Sequence, residues 1–237
     1  MTARQRAILR MKRAVRHMRP RHVIRTQMTR KTIEGFAEKV GLVYFGHVDQ
    51  RNDEHRLVRG HTVSATHIDD NYCAGTIRGY DVMLVSRNDV LKRPDDTKER
   101  RCHWLIVAID LHTKAEVPHC YVGHHSQDSV FRASYERIYP LAIGSFYGAY
   151  PHRFISEYTV YGKATHALNI ERTITPQVAM VIATHFSGAS IEIKEGSLYL
   201  YIESERPNEA LLEKMLSNGL WLAESIDTIY SVKQAAN

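Results

Sequence analysis

Residues 190–203 alternate apolar and polar side chains on both sides of one glycine, which constrains the fold more than any other feature of the chain. Ile191, Ile193, Leu198, Leu200 and Ile202 recur every second position, and Gly196 stands where a hairpin must turn. Side chains of a strand leave it on alternate sides, so this pattern predicts a β-hairpin with one apolar face. The same two-residue period runs upstream, over residues 42–48 and 57–66 around the polar turn 50–55, then over 72–78 and 80–87 hinged near Gly79. A charged loop, 88–101, leads into the most apolar strand, 102–111, and a further strand, 119–123, follows Pro118. Strands joined by short polar turns predict an antiparallel sheet rather than parallel βαβ units, with five or six strands in residues 42–123.

Helical spacing punctuates the strands. Ile33, Phe36, Ala37 and Val40 predict a helix with Thr32 as its cap and Gly41 as its stop. Val130, Phe131, Ser134 and Ile138 predict another over 126–138, and Thr175-Pro176 opens a third that runs to Phe186. Leu211, Met215, Leu222, Ile226 and Ile229 mark a long C-terminal helix. Residues 140–152, rich in Gly, Pro and aromatics, predict an irregular boundary. The expected organisation is a basic helical arm (1–31), a β-rich α+β subdomain (32–150) and an α+β subdomain (151–237), the last two separate or continuous. The fold class is α+β, a mostly antiparallel sheet with flanking helices, preceded by a basic amphipathic N-terminal helix.

That arm carries the sharpest functional signal. The first 33 residues hold eleven Lys or Arg and no acid, while the remaining 21 basic residues stand against all 26 acids, a net of −5. The overall formal charge of +6 therefore comes from the arm alone. Ile8, Met11, Val15 and Met18 lie on one side of a predicted helix that ends at Pro20. Arg6, Arg10, Lys12, Arg13, Arg16 and Arg19 lie on the other side, as candidate contacts to an anionic partner. An anionic membrane surface attracts each such cation by about 1 kcal/mol. A nucleic acid would be held through counterion release instead. The apolar stripe equally suits packing on the protein's own body or on a second copy in a homo-oligomer.

Three cysteines, Cys73, Cys102 and Cys120, have irregular spacing and suggest no disulfide framework, in keeping with small buried hydrophobes in a reducing cytoplasm. No apolar run is long enough to span a bilayer and no secretory leader is recognisable, so the expected location is cytoplasmic, peripheral to the inner face of the membrane if the arm binds lipid.

Residues 154–226 contain Val160-Tyr161 at a strand end, a short helix around 164–170, the Thr175-Pro176 helix start, an alternating hairpin and a C-terminal helix. Gly75, Gly79, Tyr80, Asp81 and Val82 precede them. This layout resembles an uncharacterised bacterial domain family often found in membrane-anchored proteins. The resemblance implies an α+β domain with no assigned activity. This chain departs from it in having no transmembrane helices ahead of the domain.

Candidate chemistry concentrates in residues 110–125. Asp110 and His112 would share one side of a continuing strand, with His119 and His124 nearby, so these four are the candidate metal ligands. Zinc requires three or four converging ligands, and no HExxH, CxxC or HxH motif is present. Asp69 and Asp70 could serve a cation or acid–base chemistry, although Asp-Asp-Asn more often makes a turn. Gly144-Ser145-Phe146-Tyr147-Gly148 lacks the spacing of a nucleophile elbow, and Cys102 and His103 would point to opposite sides of a strand. No nucleotide-binding motif occurs and no cofactor is expected. The expected function is a non-enzymatic binding or scaffold protein that docks on an anionic surface; the alternative is a metal-dependent hydrolase using residues 110–125.

Overall fold

The structure is a computed structural model and describes residues 20–48, 68–91, 100–127, 138–145, 148–204 and 206–235. In chain order its elements are α1 (Pro20–Val40), β1 (Val43–Gly46), β2 (Ile68–Ile77), β3 (Tyr80–Leu91), β4 (Arg100–Asp110) and β5 (Cys120–His124). There follow β6 (Tyr139–Pro140), α2 (His152–Glu157), β7 (Tyr158–Gly162), α3 (Ala167–Thr173), α4 (Pro176–His185), β8 (Ser190–Lys194), β9 (Ser197–Glu203) and α5 (Glu209–Ala235). The nine strands form one antiparallel sheet in the order β1-β2-β3-β4-β9-β8-β5-β7-β6. The protein is thus an α+β fold built on a large antiparallel sheet. The hairpin β8–β9 lies between β4 and β5, so strands from before and after residue 150 alternate across it.

Local chemistry accounts for the elements read correctly. The β8–β9 turn places both Glu195 (φ +51°) and Gly196 (φ +78°) in the left-handed region, as a two-residue hairpin turn with the twist of its strands requires. Thr175 caps α4, its hydroxyl accepting from the Val178 N–H at 3.3 Å, with Pro176 in the first turn. Gly41 (φ +82°) ends α1.

Three expectations change. The helix expected from Thr32 already runs from Pro20, the first described residue, and Thr32 lies inside it with its hydroxyl donating to the Met28 carbonyl at 3.0 Å. Asp69 and Asp70 belong to β2 rather than to a turn; Asp70 accepts from the Asn71 N–H at 2.8 Å, where Asn71 (φ +55°) forms a bulge. In the segment expected to be an irregular boundary, Pro140 joins Tyr139 as edge strand β6, where a missing N–H can face away from the ladder. The expected strand over 57–66 lies outside the described residues, as do residues 128–137, most of the helix expected over 126–138.

The two sides of the sheet differ. One side packs Val82, Leu84, Leu105, Val107, Ile109, Ile191, Ile193, Leu198 and Leu200 against α1–α5, through Ile33, Phe36, Phe154, Ile182, Leu212, Met215 and Ile226. On the other side Tyr72, Val85, Trp104, Ile106, Tyr121, Tyr161, Tyr199 and Tyr201 form a second buried cluster with no helical residue among its described members. Among the described residues no helix is long and apolar enough to cross a membrane.

Candidate functional site

Arg6, Arg10, Lys12, Arg13, Arg16 and Arg19 lie outside the described residues. The arm runs into α1, whose C-terminal half is fastened to the body. Ile33, Phe36 and Ala37 are buried, and Lys39 Nζ bridges Glu209 at 2.5 Å and Glu213 at 2.6 Å on α5. These two carboxylates raise the Lys39 pKa. One turn and more N-terminal to that anchor, Gln27, Met28, Arg30 and Lys31 are exposed.

Beside this exposed part, α1 and the β1–β2 edge enclose an open cleft of about 580 Å³ lined in part by Arg30, Glu34, Tyr44, Phe45, His47 and Asp70. Arg30 lies 3.8 Å from Glu34 and over the Tyr44 ring at 5.7 Å. The Tyr44 hydroxyl donates to Asn71 Oδ1 at 2.8 Å, and Asn71 Nδ2 donates to Ser86 Oγ at 2.7 Å. His47 Nδ1 is 4.0 Å from Asp70 Oδ1. The cleft thus carries both signs of charge, and Phe45 on its wall is 59% exposed.

The four candidate ligands in residues 110–125 occupy separate surroundings. Asp110 ends β4 and accepts from Ser197 Oγ at 2.7 Å. His112 does not continue the strand: its N–H and that of Thr113 donate to Asp227 on α5, at 3.1 and 2.8 Å. Its ring stacks on Tyr80 (4.0 Å between centroids, 2° between planes) and Nε2 meets the Gly79 carbonyl at 3.0 Å. The shared strand face expected for Asp110 and His112 is therefore not formed, because Asp227 captures the backbone just past the strand end. His119 Nε2 lies 2.9 Å from Glu192 Oε1, and His124 Nδ1 lies 2.7 Å from Ser126 Oγ with its ring edge-on to Tyr158. Among the described residues, no three His, Cys, Asp or Glu side chains stand together as a metal site.

The sheet does assemble polar clusters that the sequence did not announce. Glu192 is fully buried; Oε1 meets His119, and Oε2 accepts from the Tyr201 hydroxyl at 2.7 Å. Burial, with the Glu192 carboxylate beside it, raises the Tyr201 pKa and keeps that hydroxyl protonated as a donor. Arg87 on β3 is paired two-fold with its cross-strand neighbour Asp69, Nε to Oδ1 at 2.6 Å and Nη2 to Oδ2 at 2.7 Å. Asp227 accepts from the Tyr80 hydroxyl at 2.8 Å. Glu192 meets Tyr201 across the hairpin and Asp69 also accepts from the nearby Tyr72 hydroxyl at 3.3 Å, but His119, Arg87, Tyr80 and the His112 backbone come from distant sequence, so no local signal could have assembled the clusters. Cys73, Cys102 and Cys120 are buried free thiols, and burial pushes Cys73 and Cys120 up to about 12.

No protein-family model and no curated protein matches the chain. A solved structure does: the crystal structure of the mycobacterial trehalose monomycolate transport factor A, TtfA, at 14% identity and a TM-score of 0.55, over 85% of this chain and 93% of that one. At that identity the likeness shows a shared fold and leaves the site residues to this chain's own geometry.

Proposed function

We propose that the protein is a non-enzymatic binding or scaffold protein, held on an anionic surface by its basic segment, residues 1–31. The observation that carries this is the division of charge: eleven cations and no acid in the first 33 residues, ahead of a body of net −5. The same segment leads into a helix anchored at its far end, so a docked arm would hold the whole α+β body at the surface. Asp110, His112, His119 and His124 each serve a different local contact, which fits a binding role better than a shared catalytic centre.

Deleting residues 1–19 removes seven of the cations and keeps every described residue of α1. Binding to anionic vesicles and to duplex DNA or RNA is then measured over a salt series. At about 1 kcal/mol per cation on a membrane, the deletion should abolish measurable binding there; on a nucleic acid it should flatten the salt dependence as well. Unchanged binding in both assays refutes docking through the arm. Stoichiometric zinc in untagged protein would instead favour the metal-dependent hydrolase.

A further inference from the structure

We propose that β1 is the contact between two copies of this chain, paired antiparallel edge to edge with Tyr44 on the two-fold axis. This stands independently of docking through the arm. Among the described residues β1 is the outermost strand at its end of the sheet, so no strand takes up its outward backbone N–H and C=O groups. The strand, Val43–Gly46, carries neither a charge nor a proline, whereas the opposite edge ends on Pro140, which has no N–H to offer. Phe45 is the extra residue of a bulge and takes no register partner on β2. Val43 and Phe45 stand on the helix-free side of the sheet, 57% and 59% exposed, while Tyr44 packs on the helix side.

Residues directly opposite in an antiparallel pair share a side of the sheet, so a two-fold axis on this strand sets Tyr44 against Tyr44 of the second copy. Each Val43 then lies opposite Phe45 of the other copy, an aromatic–β-branched pair formed twice on the helix-free side. The helix side complements itself as well. α1 packs over β1 and β2 alike. Adjacent strands are about 4.8 Å apart, so the two α1 helices would run antiparallel with axes about 10 Å apart, a spacing at which helices pack. Lys39 ties the inner flank of α1 to α5; Arg30, over the Tyr44 ring, and Glu34 lie on the outer flank and line the cleft. About the same axis, Arg30 of each copy meets Glu34 of the other, and two half-exposed i,i+4 pairs become one network of alternating charge. A strand from another protein would match the backbone, but symmetry obliges a second copy to bring Glu34 to Arg30 and Phe45 to Val43 together.

The test is sedimentation velocity of the full chain at concentrations from micromolar to near millimolar. The variants are Val43→Lys with Phe45→Lys, Arg30→Glu alone, and the exchange Arg30→Glu with Glu34→Arg. All four positions are exposed, so circular dichroism should match the wild type. The expected result is a reversible monomer–dimer equilibrium that weakens by about tenfold or more in the two-lysine variant, where like charges come opposite each other, and by less in Arg30→Glu. The exchange should restore association, because swapping the two signs leaves them complementary. A chain that stays monomeric throughout overturns the proposal. A dimer that the two-lysine and Arg30→Glu variants both leave unchanged does the same. So does one that is lost on deleting residues 1–19 yet kept in the two-lysine variant, which would place the contact in the arm.

Discussion

Removing the Asp69 carboxylate should destabilise the protein more than its position near the start of a strand suggests. Arg87 is 1% exposed on the helix-free side of the sheet, and Asp69 meets it with two short bonds from the neighbouring strand. Burial pulls the Arg87 guanidinium down, and the Asp69 carboxylate more than offsets this, leaving its pKa raised. Truncating one partner of such a pair strands the other charge in a dry environment, at a cost of about 3–5 kcal/mol. Asp89, two residues along β3 and also buried, faces Arg87 as well and retains part of the compensation. Asp69→Ala should therefore fall at the lower end, about 3 kcal/mol. For a chain of this size that lowers Tm by about 6–12 °C. The double variant Asp69→Leu/Arg87→Met removes both charges at similar volume and should recover part of that loss but not all of it, because buried Asp89 then loses its cationic neighbour. Thermal and urea denaturation followed by circular dichroism measure both. A cost below about 1 kcal/mol for Asp69→Ala would mean that the pair behaves as a solvated one and that this side of the sheet is not closed. A double variant as unstable as the single would assign the effect to packing rather than to charge.

Gly219→Ala in α5 should destabilise despite its gain of about 1 kcal/mol in helix propensity, because the new Cβ would stand 2.8 Å from Ile109 Cδ1 in the core. Adding Ile109→Val, which removes that methyl, should recover the loss in a urea midpoint, and no recovery would refute the clash. Buried Cys73 and Cys120 should resist thiol reagents at neutral pH until the protein unfolds. Their thiols stay protonated to about 12 when folded but ionise near 9.0 when unfolded, so the unfolded state releases protons first and stability should fall as pH rises above 9.0. A denaturation midpoint at pH 10 equal to or above that at pH 7 would contradict this.

What the sequence made legible was local. Gly196 between two alternating runs specifies a hairpin turn, and Thr175-Pro176 specifies a helix start; both formed as read. The same alternation misleads on the other side of that hairpin. Glu192, Tyr199 and Tyr201 look like a solvated face, yet they are buried, because a second cluster forms there and His119 and Tyr201 satisfy the Glu192 carboxylate. Strand order is equally invisible: nothing between residues 111 and 189 signals that β8 and β9 will lie between β4 and β5. Asp110 and His112 separate for a reason 115 residues away, where Asp227 takes up the backbone past the strand. The charge of the arm was legible because it needs no partner to be counted.

The way α1 is held bears on how docking and stability are coupled. Among its described side chains, Ile33, Phe36 and Ala37 pack against the sheet and Lys39 against the start of α5. The exposed Gln27, Met28 and Lys31 are not among these core side chains, and Arg30 meets the body only over the Tyr44 ring. A surface that engages them would therefore not compete with the core for the same side chains. Substitutions at exposed positions away from such contacts change stability by about 0.5 kcal/mol or less, whereas each cation lost from a membrane contact costs about 1 kcal/mol of affinity. On the proposed docking, binding and folding are separable along one helix: substitutions at those exposed residues should change binding, and substitutions at Ile33, Phe36, Ala37 and Lys39 should change stability.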